Sequence, residues 1–208
     1  MVSRIPTLIG ITGGRGSGKD TAYKIIEEWS VGNGLIPARR AFADSIKWSF
    51  ARIFKPNISC DAAVDWCDEL KINSIISANG CEVTGREALQ HFGFEAHREI
   101  FGDDFWLNQV VPLPDWRDKF SDEGKLSDIC VVTDVRYNNE AQRIKEAGGS
   151  IWSVKRANAL FDNHSSEQGI TNSLVDVAVI NADIKNYENE IYYLMELAVH
   201  RKKVIKND

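Results

Sequence analysis

Short apolar runs alternate along this chain with longer segments in which apolar residues recur every three or four positions. Runs of this length are typical of buried strands, and the spacing in the longer segments is typical of amphipathic helices. The run at 128–133 is rich in β-branched residues, as in a parallel strand covered on both faces. Strands are predicted at residues 7–12, 38–43, 128–133, 150–155 and 176–180.

Helices are predicted between these strands. The first helix runs from Lys19 to about Val31 and ends at the glycines of 32–34, because glycine readily adopts the conformation that terminates a helix. Its buried stripe is expected to comprise Ala22, Ile25, Ile26 and Trp29. Further helices are predicted at 44–54, 62–76, 84–101, 138–147 and 186–204, with a short helix that ends at Val110.

Several of these helices begin with residues that can cap them. Asp44 has the chemistry of an N-cap, and Thr84 with Glu87 forms a capping-box sequence. Asp103 or Asp104 is expected to cap the short helix that follows. These signals set the N-terminal boundaries of three predicted helices.

Alternation of strands and helices predicts an α/β fold with a doubly wound parallel sheet. One domain is expected over residues 1–208, with a helical insertion at 44–127. Residues 112–125 are rich in Pro, Asp and Gly and are predicted to form a loop. The polar, irregular stretch after the fourth strand predicts a mobile lid at 156–171.

A glycine-rich stretch joins the first predicted strand to the first predicted helix. Residues 13–19 fit the pattern G-x-x-x-x-G-K, which forms a phosphate-binding loop between a strand and a helix. Glycines permit the positive φ angles that turn successive N–H groups toward one anion, and the helix N-terminus adds partial positive charge. Lys19 supplies a mobile full charge for the β- and γ-phosphates. The stretch therefore predicts a P-loop that binds a nucleotide.

Asp20 stands where such loops usually have a Ser or Thr hydroxyl for Mg²⁺, and Thr21 follows it. A carboxylate is also a hard oxygen ligand, so Asp20 is a candidate metal ligand. Alternatively, Asp20 only complements the dipole of the helix that begins here, since acidic residues are common in first turns. The sequence leaves both roles open.

Composition narrows the classes of partner. The chain has 208 residues, 43% hydrophobic and 26% charged, as in ordinary globular proteins, and its net charge of −5 gives no support for a surface that coats DNA or RNA. No apolar run approaches the length of a membrane span, and the first residues lack the apolar core of a secretory signal. A cytoplasmic protein with a small phosphorylated ligand is expected, and a homodimer is compatible with the sequence.

The four cysteines show no C-x-x-C pair, so reduced free thiols are expected. A zinc site is an alternative, although its spacing is unlike that of known zinc patterns. That site would use Cys60, Cys67, Cys81 and His91.

Several charged residues are expected at the carboxyl edge of the sheet, where ligands bind in such folds. Asp134 ends a strand, in the position where many P-loop proteins place a carboxylate on the metal or its water. Arg136 could hold a phosphate bidentately, or the two could form a structural pair. Arg156, at the end of the next strand, is a candidate cation for the transferring phosphoryl group. Arg86 and Gln90 share one helix face, which would suit a phosphate and a base edge.

The order of motifs resembles that of the bacteriophage deoxynucleoside monophosphate kinases over nearly the whole chain. The motifs that carry the resemblance are Gly-Ser-Gly-Lys-Asp-Thr (16–21), Ala-Asp-Ser-Ile-Lys (43–47), Arg-Glu-Ala-Leu-Gln-His-Phe-Gly (86–93), Phe-Gly-Asp-Asp-Phe-Trp (101–106), Thr-Asp-Val-Arg-Tyr-Asn-Asn-Glu-Ala (133–141), Gly-Gly-Ser-Ile (148–151), Val-Lys-Arg (154–156) and His-Ser-Ser-Glu (164–167).

The resemblance implies transfer of a phosphoryl group from ATP, with Mg²⁺, to a deoxynucleoside monophosphate. It makes the insertion at 44–127 an acceptor-binding region and gives catalytic roles to Lys19, Asp134, Arg136 and Arg156. ATP would be held by Gly13, Arg15, Gly16, Ser17, Gly18, Lys19, Asp20 and Thr21, with Asp20 also on the metal. The substrate would be bound by Asp44, Lys47, Arg86, Gln90, Arg98, Trp106, Arg136, Glu140, His164 and Glu167, the last two from the lid.

Two rival functions remain open at this point. Phosphomevalonate kinase and dephospho-coenzyme A kinase look similar around the loop, so another small-molecule kinase is the nearer alternative. A non-kinase ATPase or switch module is the more distant one. A GTP switch would need the base-reading sequence Asn-Lys-x-Asp, which does not occur in this chain.

Overall fold

The computed structural model of the chain describes residues 6–73, 75–78, 81–122, 125–156 and 170–204. They form two compact units. The sheet unit comprises the described residues of Met1–Arg40 and Leu113–Asp208, and the helical unit those of Ala41–Pro112. In the described part of the chain, no helix combines the length and the apolar character that crossing a membrane requires.

The helices and strands follow one another as expected for an α/β protein with an inserted helical segment. In chain order they are β1 (Thr7–Thr12), α1 (Lys19–Gly32), β2 (Pro37–Arg40), α2 (Phe42–Phe54), α3 (Cys60–Asn73), β3 (Ile75–Ala78), β4 (Cys81–Thr84), α4 (Gly85–Gly93), a π-helical turn (Phe94–Arg98), α5 (Glu99–Phe101), α6 (Phe105–Val110), a 3₁₀ turn (Trp116–Phe120), β5 (Ser121–Asp122), β6 (Lys125–Leu126), β7 (Ile129–Val135), α7 (Asn138–Glu146), β8 (Ser150–Arg156), a second 3₁₀ turn (Asn172–Leu174), β9 (Val177–Asn181) and α8 (Ile184–Val204).

The sheet unit is built on five parallel strands in the order β2-β7-β1-β8-β9. Every residue of β1 is buried, because the strand lies at the centre of the sheet and is covered on both faces. Parallel strands place their carboxyl ends at one edge, so the segments that follow β1, β7 and β8 begin at the same edge. The phosphate-loop sequence follows β1 directly.

Helices cover both faces of this sheet. On one face, Ile9 and Ile11 pack in a single cluster with Ile25 of α1 and with Tyr187 and Ile191 of α8. On the other face, α7 packs so closely that a Cβ on Gly10 would come within 2.7 Å of Ile144. The predicted doubly wound α/β arrangement is thereby confirmed.

The helical unit has its own apolar core, formed where α2, α3 and α4 meet. Phe50, Ala63 and Leu89 are buried there, and Trp66 packs against them. A Cβ on Gly85 would lie 2.2 Å from the carbonyl oxygen of Leu70, so the first residue of α4 can approach α3 only as glycine.

Most predicted elements are found within two residues of their expected bounds, and four predictions need correction. Asp44 lies in the first turn of α2, whose N-cap is Ala41, since the helix begins two residues earlier than predicted. The helix expected at 62–76 ends at Asn73 because Ile75 and Ile76 pair with β4.

The helix expected at 84–101 is interrupted by the π-helical turn, and the loop expected at 112–125 contains a 3₁₀ turn and a strand residue pair. The second predicted strand is shorter than 38–43 and begins at Pro37, because α2 takes over at Phe42. Residues 157–169 of the predicted lid lie outside the described residues.

Candidate functional site

The loop between β1 and α1 has a backbone that only glycine adopts readily. Gly13 and Gly18 have φ angles of +148° and +109°, and Gly16 is at +72°. A Cβ on Gly13 would meet the carbonyl oxygen of Val154 at 2.3 Å, so this position also lacks space for a side chain. The loop therefore has the left-handed turns that bring successive N–H groups together on one side.

Lys19 folds back over the loop that precedes it. Its Nζ donates to the carbonyl oxygens of Gly13 at 2.6 Å and Gly14 at 2.8 Å. These bonds hold the ammonium group above the loop, at the N-terminus of α1, where an anion is favoured. The positive charge and the partial charge of the helix thus act at the same place.

Ser17 supplies a polar atom that the protein leaves unsatisfied. Its side chain is 5% exposed, and Oγ has no hydrogen-bond partner among the described residues. A buried hydroxyl without a partner costs about 1–3 kcal/mol, so such a group in a P-loop fits a ligand that supplies the missing acceptor or donor. The oxygens of a phosphate group meet this requirement.

Two residues from the end of the sheet unit bind the loop backbone. Asn181, the last residue of β9, donates from Nδ2 to the carbonyl of Ser17 at 3.0 Å. Tyr187 of α8 donates from its hydroxyl to the carbonyl of Gly18 at 3.0 Å. Burial raises the pKa of Tyr187, helped by the charge of Glu190, so the hydroxyl stays protonated and remains a donor. Sequence reasoning missed both residues, since they lie 164 and 169 positions from their partners.

The remaining loop residues lie around this backbone. Arg15, Gly16 and Asp20 are exposed, and Thr21 is half-buried. Asp20 is in the first turn of α1, where either of its expected roles is open to it. Among the described residues, no three His, Cys, Asp or Glu side chains come together as a metal site. The side chain of Cys81 lies outside the described part, so the zinc alternative is not followed further.

The end of β7 carries the predicted Asp134 and Arg136. Asp134 is half-buried and next to last in the strand, while Arg136 is exposed just beyond it. The carboxylate of Glu140, 2% exposed, accepts from the backbone N–H groups of Arg136 at 2.7 Å and Tyr137 at 3.0 Å. Glu140 therefore shapes the turn that presents Arg136 and begins α7.

Arg156 is the last residue of β8, and its side chain is exposed. Parallel strands end at the same edge of the sheet, so Arg156 shares that edge with the loop after β1. His164 and Glu167, predicted as lid residues, lie outside the described residues.

In the helical unit, α4 presents the predicted Arg86 and Gln90. Both side chains are exposed, and the capping box of Thr84 and Glu87 fixes the start of their helix: Thr84 Oγ1 accepts from Glu87 N at 3.2 Å, and Glu87 Oε2 accepts from Thr84 N at 2.8 Å. Arg98 is half-buried in the π-helical turn, a rare geometry that is frequent at functional sites. Arg86 and Gln90 are thus held on a solvent-facing surface of a capped helix.

Lys47 lies in a small charged cluster of the helical unit. Its Nζ is 2.9 Å from Asp68 and 3.7 Å from Asp44, and Lys71 also contacts Asp68 at 3.0 Å. Burial opposes ionisation of Asp68, but the two lysines outweigh it and hold the pKa of Asp68 below its usual value. Lys47 is thus already ion-paired, which the sequence did not indicate.

Trp106 requires a correction. The resemblance implied that Trp106 faces the acceptor, yet the side chain is only 2% exposed and its Nε1 donates to the carbonyl of Gly93 at 2.8 Å. It is packed by Phe92, His97 and Phe105, so no ring face is open to a base. Trp106 is a core residue of the helical unit.

Comparisons with known proteins agree on one family. A family model described as deoxynucleotide monophosphate kinase matches residues 54–191, which is more than half of the chain. A protein of Acanthamoeba polyphaga mimivirus, named "Putative deoxynucleotide monophosphate kinase", is 31% identical over 202 residues that cover 88% of this chain and 93% of that protein.

Solved structures give weaker similarities. A sugar kinase from a Janibacter species has 13% identity and a TM-score of 0.39, and covers 91% of this chain and 92% of its own. A gluconokinase from Sinorhizobium meliloti has 15% identity and a TM-score of 0.33, with 96% and 94% covered. These scores carry no argument, and the fold class follows from the sheet itself.

The matched region begins at residue 54 and so excludes the P-loop at 13–19. The loop was recognised from its spacing and its backbone geometry, so it and the family match are two separate lines of support. By that match, and by its identity to the mimivirus protein, the chain belongs to the deoxynucleotide monophosphate kinase family.

Proposed function

We propose that the chain transfers the γ-phosphoryl group of ATP to a deoxynucleoside 5′-monophosphate and releases the diphosphate and ADP. The observation that carries the proposal is the loop after β1, with its positive-φ glycines, the ammonium group of Lys19 and the orphaned hydroxyl of Ser17. A loop of this kind binds the phosphates of a nucleotide. Family membership supplies the class of acceptor.

The donor is held by the loop residues. The N–H groups of the glycine turns and of the first turn of α1 face an anion, and Lys19 can leave its two carbonyl partners to follow the β- and γ-phosphates. Arg15 is exposed next to Gly16, where its guanidinium is free to reach the outer phosphates from solvent. Arg156 at the end of β8 is proposed to stabilise the charge of the transferring group.

Mg²⁺ fits the oxygen chemistry of this region. Magnesium is usually bound in proteins through one or two carboxylates together with phosphates and waters, and a cage of three side chains is not required. Asp20 in the first turn of α1 would hold it, and Asp134 at the end of β7 is suited to hold its water. When bound, the ion neutralises negative charge on the phosphates.

The acceptor is assigned to Arg136 in the sheet unit. Its exposed guanidinium follows the buried end of β7, and Glu140 fixes the backbone on which it stands. A guanidinium binds phosphate through two parallel N–H bonds, which are stronger and more directional than a lysine contact. In the helical unit, Arg86, Gln90 and Arg98 are proposed as further acceptor contacts, with Asp44 and Lys47 as the charged pair beside them.

The test uses the whole chain, ATP labelled in the γ-phosphate and a panel of acceptors. We expect label in deoxynucleoside diphosphates, and ATP consumption that depends on the acceptor. Label in mevalonate diphosphate or coenzyme A, with none in nucleotides, would contradict the proposal, and so would ATP turnover that is equally fast without acceptor.

A variant of Arg136 tests the acceptor assignment. Arg136→Ala should lower kcat/KM for the acceptor about ten- to a hundred-fold and leave ATP affinity near wild type, since one charge-assisted phosphate contact contributes roughly 1.5–3 kcal/mol. Arg117→Ala removes an exposed arginine of the same unit and serves as the control. Equal acceptor kinetics in Arg136→Ala and the control would remove Arg136 from the site.

We also propose that the enzyme works in the cytoplasm of an infected host cell. The mimivirus origin of the similar protein supports a viral setting. A kinase for monophosphates would act there on the nucleotides from which viral DNA is made. Fractionation of infected cells, with an antibody to the chain, tests this location.

A further inference from the structure

The phosphate loop is held from behind by β9 and α8. Two consecutive carbonyl groups, those of Ser17 and Gly18, accept hydrogen bonds from Asn181 and Tyr187, each at 3.0 Å. These carbonyls belong to the two peptide groups that immediately precede and include the N–H of Lys19. The contacts therefore act on the part of the loop that is closest to the start of α1.

A trans peptide group directs its carbonyl and its N–H to opposite sides. Because Asn181 binds the carbonyl of Ser17, the N–H of Gly18 points away from β9. Because Tyr187 binds the carbonyl of Gly18, the N–H of Lys19 points away from α8. Both N–H groups are thus turned to the opposite side from the two tethering side chains.

The tethering residues are themselves held firmly. Tyr187 has no exposed surface and packs in the core cluster with Ile191 and Met195, so its hydroxyl is presented from a fixed base. Asn181 packs against the loop so closely that a Cβ on Gly18 would lie 2.4 Å from its Nδ2. The carbonyl of Gly18 also accepts from Ala22 N at 2.8 Å, which ties the same peptide group to the first turn of α1.

We propose that Asn181 and Tyr187 are positioning residues of the phosphate loop, which fix the peptide groups before Lys19 so that their N–H groups face the donor's phosphates. The inference rests on the proposed function, because it assigns a role toward the same nucleotide. Neither residue touches that nucleotide directly; each acts through a backbone carbonyl.

Tyr187→Phe tests this role, because it removes only the hydroxyl. The affinities for ATP and for inorganic tripolyphosphate are measured by titration calorimetry without acceptor, well below the melting temperature. We expect both affinities to fall roughly two- to ten-fold, the effect of one net hydrogen bond. Tyr193→Phe removes an exposed hydroxyl from the same helix and should leave both affinities at the wild-type value.

The control outcomes separate a positioning role from a structural one. A lower melting temperature with unchanged affinities in Tyr187→Phe would overturn the inference and leave the proposed function intact. If Tyr187→Phe does not fold, Asn181→Ala carries the same test with the same expected loss. Failure of the wild-type chain to bind ATP or tripolyphosphate would overturn the proposed function, and this inference with it.

Discussion

At the scale of single residues, Asp20 is the departure from the usual loop that the chemistry depends on most. It occupies the position of the usual metal-binding hydroxyl and is exposed in the first turn of α1. A carboxylate there can bind Mg²⁺ or can act only on the helix dipole. The two roles differ in what they predict for metal dependence.

Asp20→Asn keeps the size of the side chain and removes its charge. We expect phosphoryl transfer to fall and the Mg²⁺ concentration for half-maximal rate to rise, by roughly tenfold, the effect of one charge-assisted contact. Glu28→Gln removes an exposed carboxylate from the same helix and is the control. The measurement is the initial rate over a Mg²⁺ titration, and a wild-type metal dependence in Asp20→Asn would leave only the dipole role.

Residue identities were predictable where local sequence determines them. The glycines and Lys19 of the loop follow from a pattern of seven residues, whose chemistry is complete within that pattern. Trp106 was misplaced because its burial depends on Phe92, His97 and Phe105, which pack around it only in the folded unit. Asn181 and Tyr187 were missed because nothing in their neighbourhood indicates the distant carbonyls that they bind.

At the scale of elements, the start of α7 is organised by one buried carboxylate. Glu140 satisfies the N–H groups of Arg136 and Tyr137, two donors that the first turn of a helix otherwise leaves without partners. Its charge also lies at the positive end of the helix dipole. The turn that carries Arg136 therefore depends on a side chain four residues away.

Glu140→Ala should destabilise the fold by about 2 kcal/mol or more, because it leaves two N–H groups without acceptors in a buried place. The KM for the acceptor should rise as well, since Arg136 loses its fixed backbone. Urea unfolding and acceptor kinetics measure the two effects. Glu146→Ala, at the exposed end of the same helix, should change neither, and comparable losses in both variants would contradict this account.

The charged cluster between α2 and α3 predicts a pH effect on the helical unit. Lys47 and Lys71 lower the pKa of Asp68 in the folded state, so the carboxylate favours folding when it is ionised. This contribution is full above the unfolded pKa of about 4 and is lost as the pH falls through the lower folded value.

Asp68→Asn should therefore reduce the free energy of unfolding at pH 7, and the difference from wild type should shrink below about pH 4. Denaturant unfolding at pH 7 and pH 3, followed by tryptophan fluorescence, measures it. Asp65→Asn on the same helix is the control, since Asp65 is exposed. A difference that stays constant across this range would show that the ion pairs do not stabilise the fold.

Element boundaries were predicted best where the pattern is strong. The apolar run at 7–12 gave β1 without error, and α1 ends within one residue of its predicted end. The hairpin of β3 and β4 was missed because Ile75 and Ile76 continue a helical spacing, and the pairing with β4 prevails over it. The π-helical turn at 94–98 was not predictable, since helical periodicity does not distinguish an insertion of this kind.

At the scale of the whole molecule, family and fold rest on separate parts of the chain. The family match covers residues 54–191, whereas the nucleotide-binding loop precedes it. The five-stranded parallel sheet joins the two parts, because β1 before the loop pairs with β7 and β8 of the matched region. A chain with this sheet can therefore place the loop and the end of β7 at the same edge.

Binding of ATP to the loop should stabilise the folded chain as a whole. At an ATP concentration 100 times the dissociation constant, the free energy of unfolding should rise by about 2.7 kcal/mol, since only the folded state binds. Lys19→Met removes the ammonium group and should abolish most of this rise at the same ATP concentration. Lys24→Met removes an exposed lysine from the same helix and should retain it. Urea unfolding with and without ATP and Mg²⁺ measures the effect, and an equal rise in Lys19→Met and wild type would mean that ATP binds elsewhere on the protein.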